Sequence, residues 1–133
     1  TFARFWPTLP IARILQTGTK RTLDADELRA YDAPFPDESY KAGARAFPLL
    51  VPISPRDPAL ERNHAAWRVY ERWEKPFLTA FSDGDPITRG MDRAMQKRIP
   101  GARGLPHTTL AGGHFLQEDS GPALAKLAVE VTA

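Results

Sequence analysis

The sequence has no cysteine. A disulfide framework, thiol catalysis and thiolate metal sites are therefore excluded. Long apolar runs are missing too. The longest, such as Phe47 to Ile53, are short and broken by prolines, far from the roughly 20 residues that span a bilayer. No basic segment followed by an apolar stretch opens the chain, so nothing in it reads as a secretory signal. The expected setting is cytoplasmic, with no membrane partner. Concentrated positive charge is also lacking. Lys+Arg 18 against Asp+Glu 16 leaves +2, spread along the chain, and the longest basic clusters are pairs such as Lys20-Arg21 and Lys97-Arg98. A nucleic-acid binder gathers its Lys and Arg into a patch or stripe, so no nucleic-acid partner is expected.

What is present fits a globular domain. The 133 residues amount to slightly under one average domain. The apolar share of 42% and charged share of 26% are ordinary for packed protein and wrong for disorder. Proline is abundant, at 13 of 133, about twice the usual share of roughly 5%. The first residue is Thr1, followed directly by Phe2 with no cap or turn signal. The chain reads as starting inside an element, and a truncated or processed chain is the expectation.

Most of the prolines fall in residues 1–58, leaving short segments between them. That pattern is too broken for long helices or a central sheet. Within it, Ile11 to Thr17 is a short apolar segment with Gly18 as a stop. Thr22 or Asp24 caps a helix running to about Tyr31, with Glu27 three residues after Asp24 as in a capping box. Pro34, Pro36 and Asp37 mark an elbow, and Ser39 is the expected cap of a second short helix, Tyr40 to Phe47. Residues 59–74 place Leu60, His64, Trp67, Val69 or Tyr70, and Trp73 or Glu74 at spacings near three and four, predicting an amphipathic helix closed by Lys75-Pro76. Phe77 to Ser82 has the length and flanks of a buried strand. A helix over 88–98, a strand over Leu105 to Leu110 and a helix over Pro122 to Val131, capped by Ser120, follow. Strands alternating with helices predict a parallel α/β sheet. Two strands are too few for an independent sheet, a second sign of truncation.

In open α/β sheets, ligands bind at the carboxyl ends of the strands. Ser82-Asp-Gly-Asp-Pro-Ile87 sits at one such end and Ala111-Gly-Gly-His-Phe115 at the next. An acid, then a His 29 residues on, is the back half of a nucleophile–acid–histidine order. The acid would hold the imidazole's tautomer and orientation, and the His would act as general base. Asp-Gly-Asp-Pro is equally a plain turn, and paired glycines can merely turn the chain. A metal site is a poor fit, because His64, His107 and His114 have no ligand spacing and no Cys helps them. His64 and His107 are expected to be structural. No Gly-x-Ser-x-Gly elbow and no Gly-x-Gly-x-x-Gly fingerprint occurs, so no nucleophile is visible. A hydrolase built on this pair would need one N-terminal to Thr1.

Three segments resemble haloalkane dehalogenases. Ala30 to Pro48 (AYDAPFPDESYKAGARAFP) is similar to part of that family's cap domain. Phe81 to Gly90 (FSDGDPITRG) resembles its acid loop, and Gly113 to Glu118 (GHFLQE) its catalytic-histidine loop. The last two are shared with epoxide hydrolases and other α/β-hydrolases. The resemblance runs from about Leu9 to Val131, in the family's order. It implies an α/β class: the C-terminal half of an α/β-hydrolase fold with part of a helical cap, residues 1–54 being cap and 55–133 core. It implies hydrolysis of a carbon–halogen bond, a small halogenated hydrocarbon and water as partners, and neither organic cofactor nor metal. Asp85 matches the acid and His114 the base. Asp83 is close enough to be the acid instead, but the Pro and Ile after Asp85 fit the family better. Phe47, Pro48 and Val51 match cap residues that line the apolar pocket, and Ile87 would face the same space; ordinary packing is the alternative for all four. Trp6 lies near the position of the halide-binding cap tryptophan, slightly out of register. The nucleophilic Asp and its neighbouring Trp have no counterpart. The alternatives are a related epoxide hydrolase or esterase, or a truncated non-catalytic module.

Overall fold

The structure is a computed structural model that describes residues 6–132. Its chain divides into two units: residues 6–14 with 23–66, and residues 15–22 with 67–132. Helices α1 (Ile11–Thr17) and α4 (Ala59–Tyr70) run across the division. The first unit also holds α2 (Ala25–Asp32) and α3 (Ala42–Ala46), the latter between two 3-10 turns, Glu38–Lys41 and Phe47–Leu50. The second holds β1 (Ala80–Ser82), α5 (Met91–Arg98), a 3-10 turn Pro100–Ala102, β2 (Thr108–Leu110) and α6 (Leu116–Thr132).

In the first unit the expected α2 forms, and its start is set by local chemistry. Asp24 accepts from the N–H groups of Asp26 and Glu27, both at 2.8 Å, while Glu27 reaches back to the Asp24 N–H at 2.8 Å. The next cap differs from expectation. Asp37, not Ser39, caps the 3-10 turn, and Ser39 supplies the N–H that Asp37 accepts at 2.8 Å. An ionised carboxylate is the stronger acceptor of the two. Glu38 ties the unit together: it accepts from the Leu9 N–H, from Lys41 Nζ at 2.7 Å and from the Arg45 guanidinium. These partners, Lys41 first, hold its carboxyl at about 2. Leu9, Ala12 and Leu23 are this unit's buried apolar residues.

In the second unit β1 and β2 are parallel, with Ala80 opposite Thr108, Phe81 opposite Thr109 and Ser82 opposite Leu110. The strand–helix–strand reading of the sequence is realised, but both strands are shorter than expected. At the start of β1, the Phe77 N–H turns to Gly101 O at 3.0 Å, and the Thr79 N–H goes to the His107 ring at 3.2 Å. At the start of β2, Pro106 has no N–H to give, and the His107 N–H folds back to Leu105 O at 2.9 Å. His107 has the structural role expected of it. Its Nε2–H donates to Ala102 O at 2.7 Å and its Nδ1 accepts from the buried Thr79, whose hydroxyl also takes the Gln96 amide at 2.7 Å.

Two helices depart from the sequence reading. Helix α4 stops at Tyr70 rather than near Glu74, because the Arg72 and Trp73 N–H groups bond three residues back, to Val69 and Tyr70. No α4 side chain is buried. The expected apolar face is met locally, by Phe77 edge-on to Tyr70 at 6.0 Å and the Arg98 guanidinium 4.1 Å above the Trp67 ring. Helix α6 begins at Leu116, well before Pro122, and breaks its own geometry at Ser120 (φ −138°, ψ 32°). Pro122 cannot donate to that turn, and the Ser120 hydroxyl donates to Ala111 O at 2.7 Å instead. Ser120 is thus a junction between two helical pieces. Ile99, Ala102, Leu15 and Leu116 are the apolar residues buried in this unit.

Candidate active site

The loop after β1 carries Asp83, Gly84 and Asp85, and the loop after β2 carries Gly112, Gly113 and His114. The parallel register puts both loops at the same end of the strands. The two loops are stitched edge to edge. The Asp83 N–H donates to Leu110 O at 3.0 Å, the Gly84 N–H to Gly112 O at 3.1 Å and the Ser82 hydroxyl to Gly112 O at 2.6 Å. Glycine is required for this approach: a Cβ on Gly84 would lie 2.5 Å from Gly112 O and overlap the Lys20 side chain.

Asp85 is 5% exposed. Its Oδ1 accepts from the Ile87 N–H at 2.8 Å, and its Oδ2 accepts from the Thr88 N–H at 3.3 Å and from the Thr88 hydroxyl. The turn reading of Asp-Gly-Asp-Pro is therefore correct as local structure. It coexists with the other reading, because Oδ1 also meets His114 Nδ1 at 3.0 Å. Burial pushes the Asp85 carboxyl up, but the Thr88 hydroxyl, the Ile87 N–H and His114 outweigh it and hold the group at about 2. An ionised carboxylate only accepts, so Nδ1 carries a proton toward Asp85, and in the neutral ring the lone pair is on Nε2.

Asp83 is engaged elsewhere. It accepts from Lys20 Nζ at 2.7 Å and from the Gly112 N–H at 3.0 Å. The Lys20 ammonium first, and the Gly112 N–H next, keep its carboxyl below the usual carboxylate range. A pocket of about 330 Å³ opens beside the pair, with Asp85 and His114 in its wall together with Ala80, Phe81, Met91, Met95 and Leu116. Ile87 is not part of that wall; its side chain is 70% exposed. Phe47 and Pro48 lie in the second 3-10 turn of the first unit and Val51 directly after it, all three exposed on that unit. Trp6 is half exposed, and its carbonyl accepts from Arg45 at 2.8 Å. His64 is exposed on α4. Among the described residues no group of three His, Asp or Glu side chains is placed to hold a metal ion, and no helix is long and apolar enough to cross a membrane.

Sequence reasoning missed two neighbours of the pair. Thr88, three residues after Asp85, was legible in principle, since Asp-x-x-Thr is a local side-chain-to-backbone pattern. Asp119 was not, because its partners, Lys20, Arg21 and Gly113, come from two separate loops.

No family model matches the chain. Similarity to curated proteins is high. A "Haloalkane dehalogenase" of Psychrobacter cryohalolentis is 55% identical over 130 residues, which cover 97% of this chain and 43% of that protein. A "Haloalkane dehalogenase" of Mycobacterium marinum is 55% identical over 125 residues, or 94% and 42%. A "Haloalkane dehalogenase 1" of Mycobacterium tuberculosis is 52% identical over 125 residues, with the same shares. The chain spans just over two fifths of the length of these relatives. Such relatives imply an α/β-hydrolase fold, and a helix-rich chain with a small parallel sheet is consistent with part of one. By sequence, then, nearly the whole of this chain is similar to just over two fifths of proteins named haloalkane dehalogenase.

Proposed function

We propose that this chain provides the acid and base of a hydrolytic dehalogenase, converting R–X and water to R–OH, halide and a proton. The observation that carries the proposal is the 3.0 Å contact of His114 Nδ1 with a buried Asp85 at the carboxyl ends of two parallel strands, in a chain over 50% identical to proteins named for this activity. A carboxylate attacks the carbon and the halide leaves with the bonding pair, giving an alkyl ester. His114 Nε2 then takes a proton from water, whose oxygen attacks the ester carbonyl. Asp85 stabilises the imidazolium that forms, which returns its proton to the departing alkoxide; the alcohol leaves, and the freed carboxyl group ionises again. In this reading the attacking carboxylate is none of the aspartates of residues 1–133. Neither metal nor organic cofactor enters the scheme.

The remaining assignments follow the same reading. Residues 1–54 form part of a cap and 55–133 part of the core. In the first unit Phe47, Pro48 and Val51 are the candidates for an apolar substrate pocket and Trp6 for a halide contact; in the second unit Ile87 is the pocket candidate. An apolar enclosure favours a leaving group that water would otherwise solvate.

The test uses protein made from the whole reading frame that encodes these residues. Unsubstituted protein should release one bromide per alcohol formed from a short bromoalkane. His114→Gln should release about one bromide per protein and then stall, because the base acts only on the ester, and its mass should rise by the alkyl group. Sustained turnover by His114→Gln would sink the proposal. So would an unsubstituted protein that opens epoxides or cleaves esters without releasing halide.

A further inference from the structure

The loop that carries His114 is held from outside the acid–base pair, and one side chain, that of Asp119, ties it to a second loop. Asp119 lies in the first turn of α6, just before the break at Ser120. Its carboxylate gathers three backbone N–H groups from two loops far apart in sequence: Lys20 at 3.0 Å, Arg21 at 2.9 Å and Gly113 at 2.6 Å. Gly113 immediately precedes His114. On the other side of His114, the Phe115 N–H donates to Gly18 O at 3.0 Å. A Cβ on Gly113 would overlap that same Gly18 carbonyl, so the two loops touch backbone to backbone. The Gly18–Arg21 loop is secured in turn. The Arg21 guanidinium donates to Glu118 O at 2.6 Å and pairs with the Glu118 carboxylate at 2.8 Å. Lys20 reaches Asp83, which accepts the Gly112 N–H.

We propose that Asp119 is a positioning residue for His114: its carboxylate pins the peptide before the imidazole to the Gly18–Arg21 loop and so sets the ring on Asp85. The need for such a device follows from the sequence. Gly112-Gly113 has no side chains to define its path, and glycine is the most freely moving residue in a chain. The Asp119 carboxylate accepts one charge-assisted hydrogen bond from the Gly113 N–H and two more from the Lys20 and Arg21 N–H groups, so the peptide before His114 is fixed to the Gly18–Arg21 loop. Asp119 is not among the residues that line the pocket beside Asp85 and His114, so its effect on chemistry passes through His114. Its effect on turnover rests on the dehalogenase reading; its effect on the ring does not.

The experiment therefore has two readouts. The first is the low-field proton signal of the His114 Nδ1–H, identified by its loss in His114→Gln. The His107 Nε2–H, bonded to Ala102 O at 2.7 Å, is the internal reference. Asp119→Asn keeps the shape but turns amide hydrogens toward backbone N–H donors. It should abolish the His114 signal and leave the His107 signal in place. The second readout is halide release: the first-turnover burst should persist, while later turnover slows by roughly tenfold, as for other groups that orient a reacting side chain. An unchanged His114 signal overturns the proposal. Loss of both histidine signals together makes Asp119 a general folding residue and overturns it as well. Should Asp119→Asn not fold, Asp119→Glu, which keeps charge and acceptors, takes its place; failure of both to fold is the structural outcome. A wild-type protein that releases no halide removes the function proposed above, yet the proton signals still decide this one.

Discussion

At the residue scale the decisive quantity is the charge on Asp85. The group is nearly dry, and a dry carboxylate is costly unless its oxygens are satisfied. Here they are, by the Ile87 N–H, the Thr88 N–H and hydroxyl, and His114. Its folded value of about 2 lies below the roughly 3.9 of an unfolded aspartate. A depressed value means the contribution to stability is complete above about pH 4 and is lost as pH falls through about 2. The expected outcome is that Asp85→Asn costs about 2 kcal/mol near neutral pH, the worth of charged hydrogen bonds. The deficit should shrink between pH 4 and 2, as read by denaturant unfolding of both proteins across that range. A deficit that stays constant, or grows on acidification, contradicts this account. The same variant should lose turnover by about 10³- to 10⁴-fold, since an amide selects the wrong imidazole tautomer. This pair was legible in the sequence because chain order and strand ends are themselves sequence properties. The residues that follow them distinguish Asp85 from Asp83 in the sequence. In the structure Asp85 is the one that meets His114 Nδ1, while Lys20, 63 residues away in the chain, takes Asp83. Asp119 stayed hidden for the same kind of reason.

At the element scale, what was legible is what local chemistry decides. The Asp24–Glu27 capping box needs only residues three apart, and α2 starts where the box says. Helix α2 buries no side chain, so its cap should carry much of its stability. Asp24→Ala is expected to cost about 1 kcal/mol. Amides of Ala25–Asp32 would then exchange with solvent about fivefold faster, while the β1 and β2 amides keep their rates. Equal acceleration everywhere, or none, would show the cap to be dispensable. The strand ends were not legible, because they depend on competitors from elsewhere. Gly101 takes the Phe77 N–H and the His107 ring takes the Thr79 N–H before the ladder can. Helix α4 shows the opposite failure. Its periodicity was sound, but periodicity states which side of a helix is apolar and not that anything covers it. In α6, Pro122 reads in the sequence as the start, whereas the helix begins at Leu116 and the turn before the Ser120 junction carries Asp119, which accepts the Gly113 N–H.

At the scale of the whole chain, the sequence predicted its most doubtful feature, a parallel sheet of two strands. Parallel sheets are normally covered on both faces, and two strands with one helix between them cannot bury a core of their own. The apolar residues show the consequence. Phe47 is 75% and Ile53 86% exposed, within one short stretch of the first unit. The second unit leaves Val69, Ile87 and Val129 in solvent. Side chains of this size are the ones usually found inside, and contiguous exposed ones drive association. Residues 1–133 produced by themselves should therefore bind a hydrophobic dye, associate in a concentration-dependent way and melt over a broad range. They should also turn over no haloalkane, because the base has no ester to act on. A single sharp, reversible transition with matching calorimetric and van't Hoff enthalpies would identify a domain complete in its own core. Together with a monomeric mass in solution, that result would mean the exposed side chains are tolerated, and the dehalogenase reading would have to be replaced by that of a module that keeps an acid and a base it does not use.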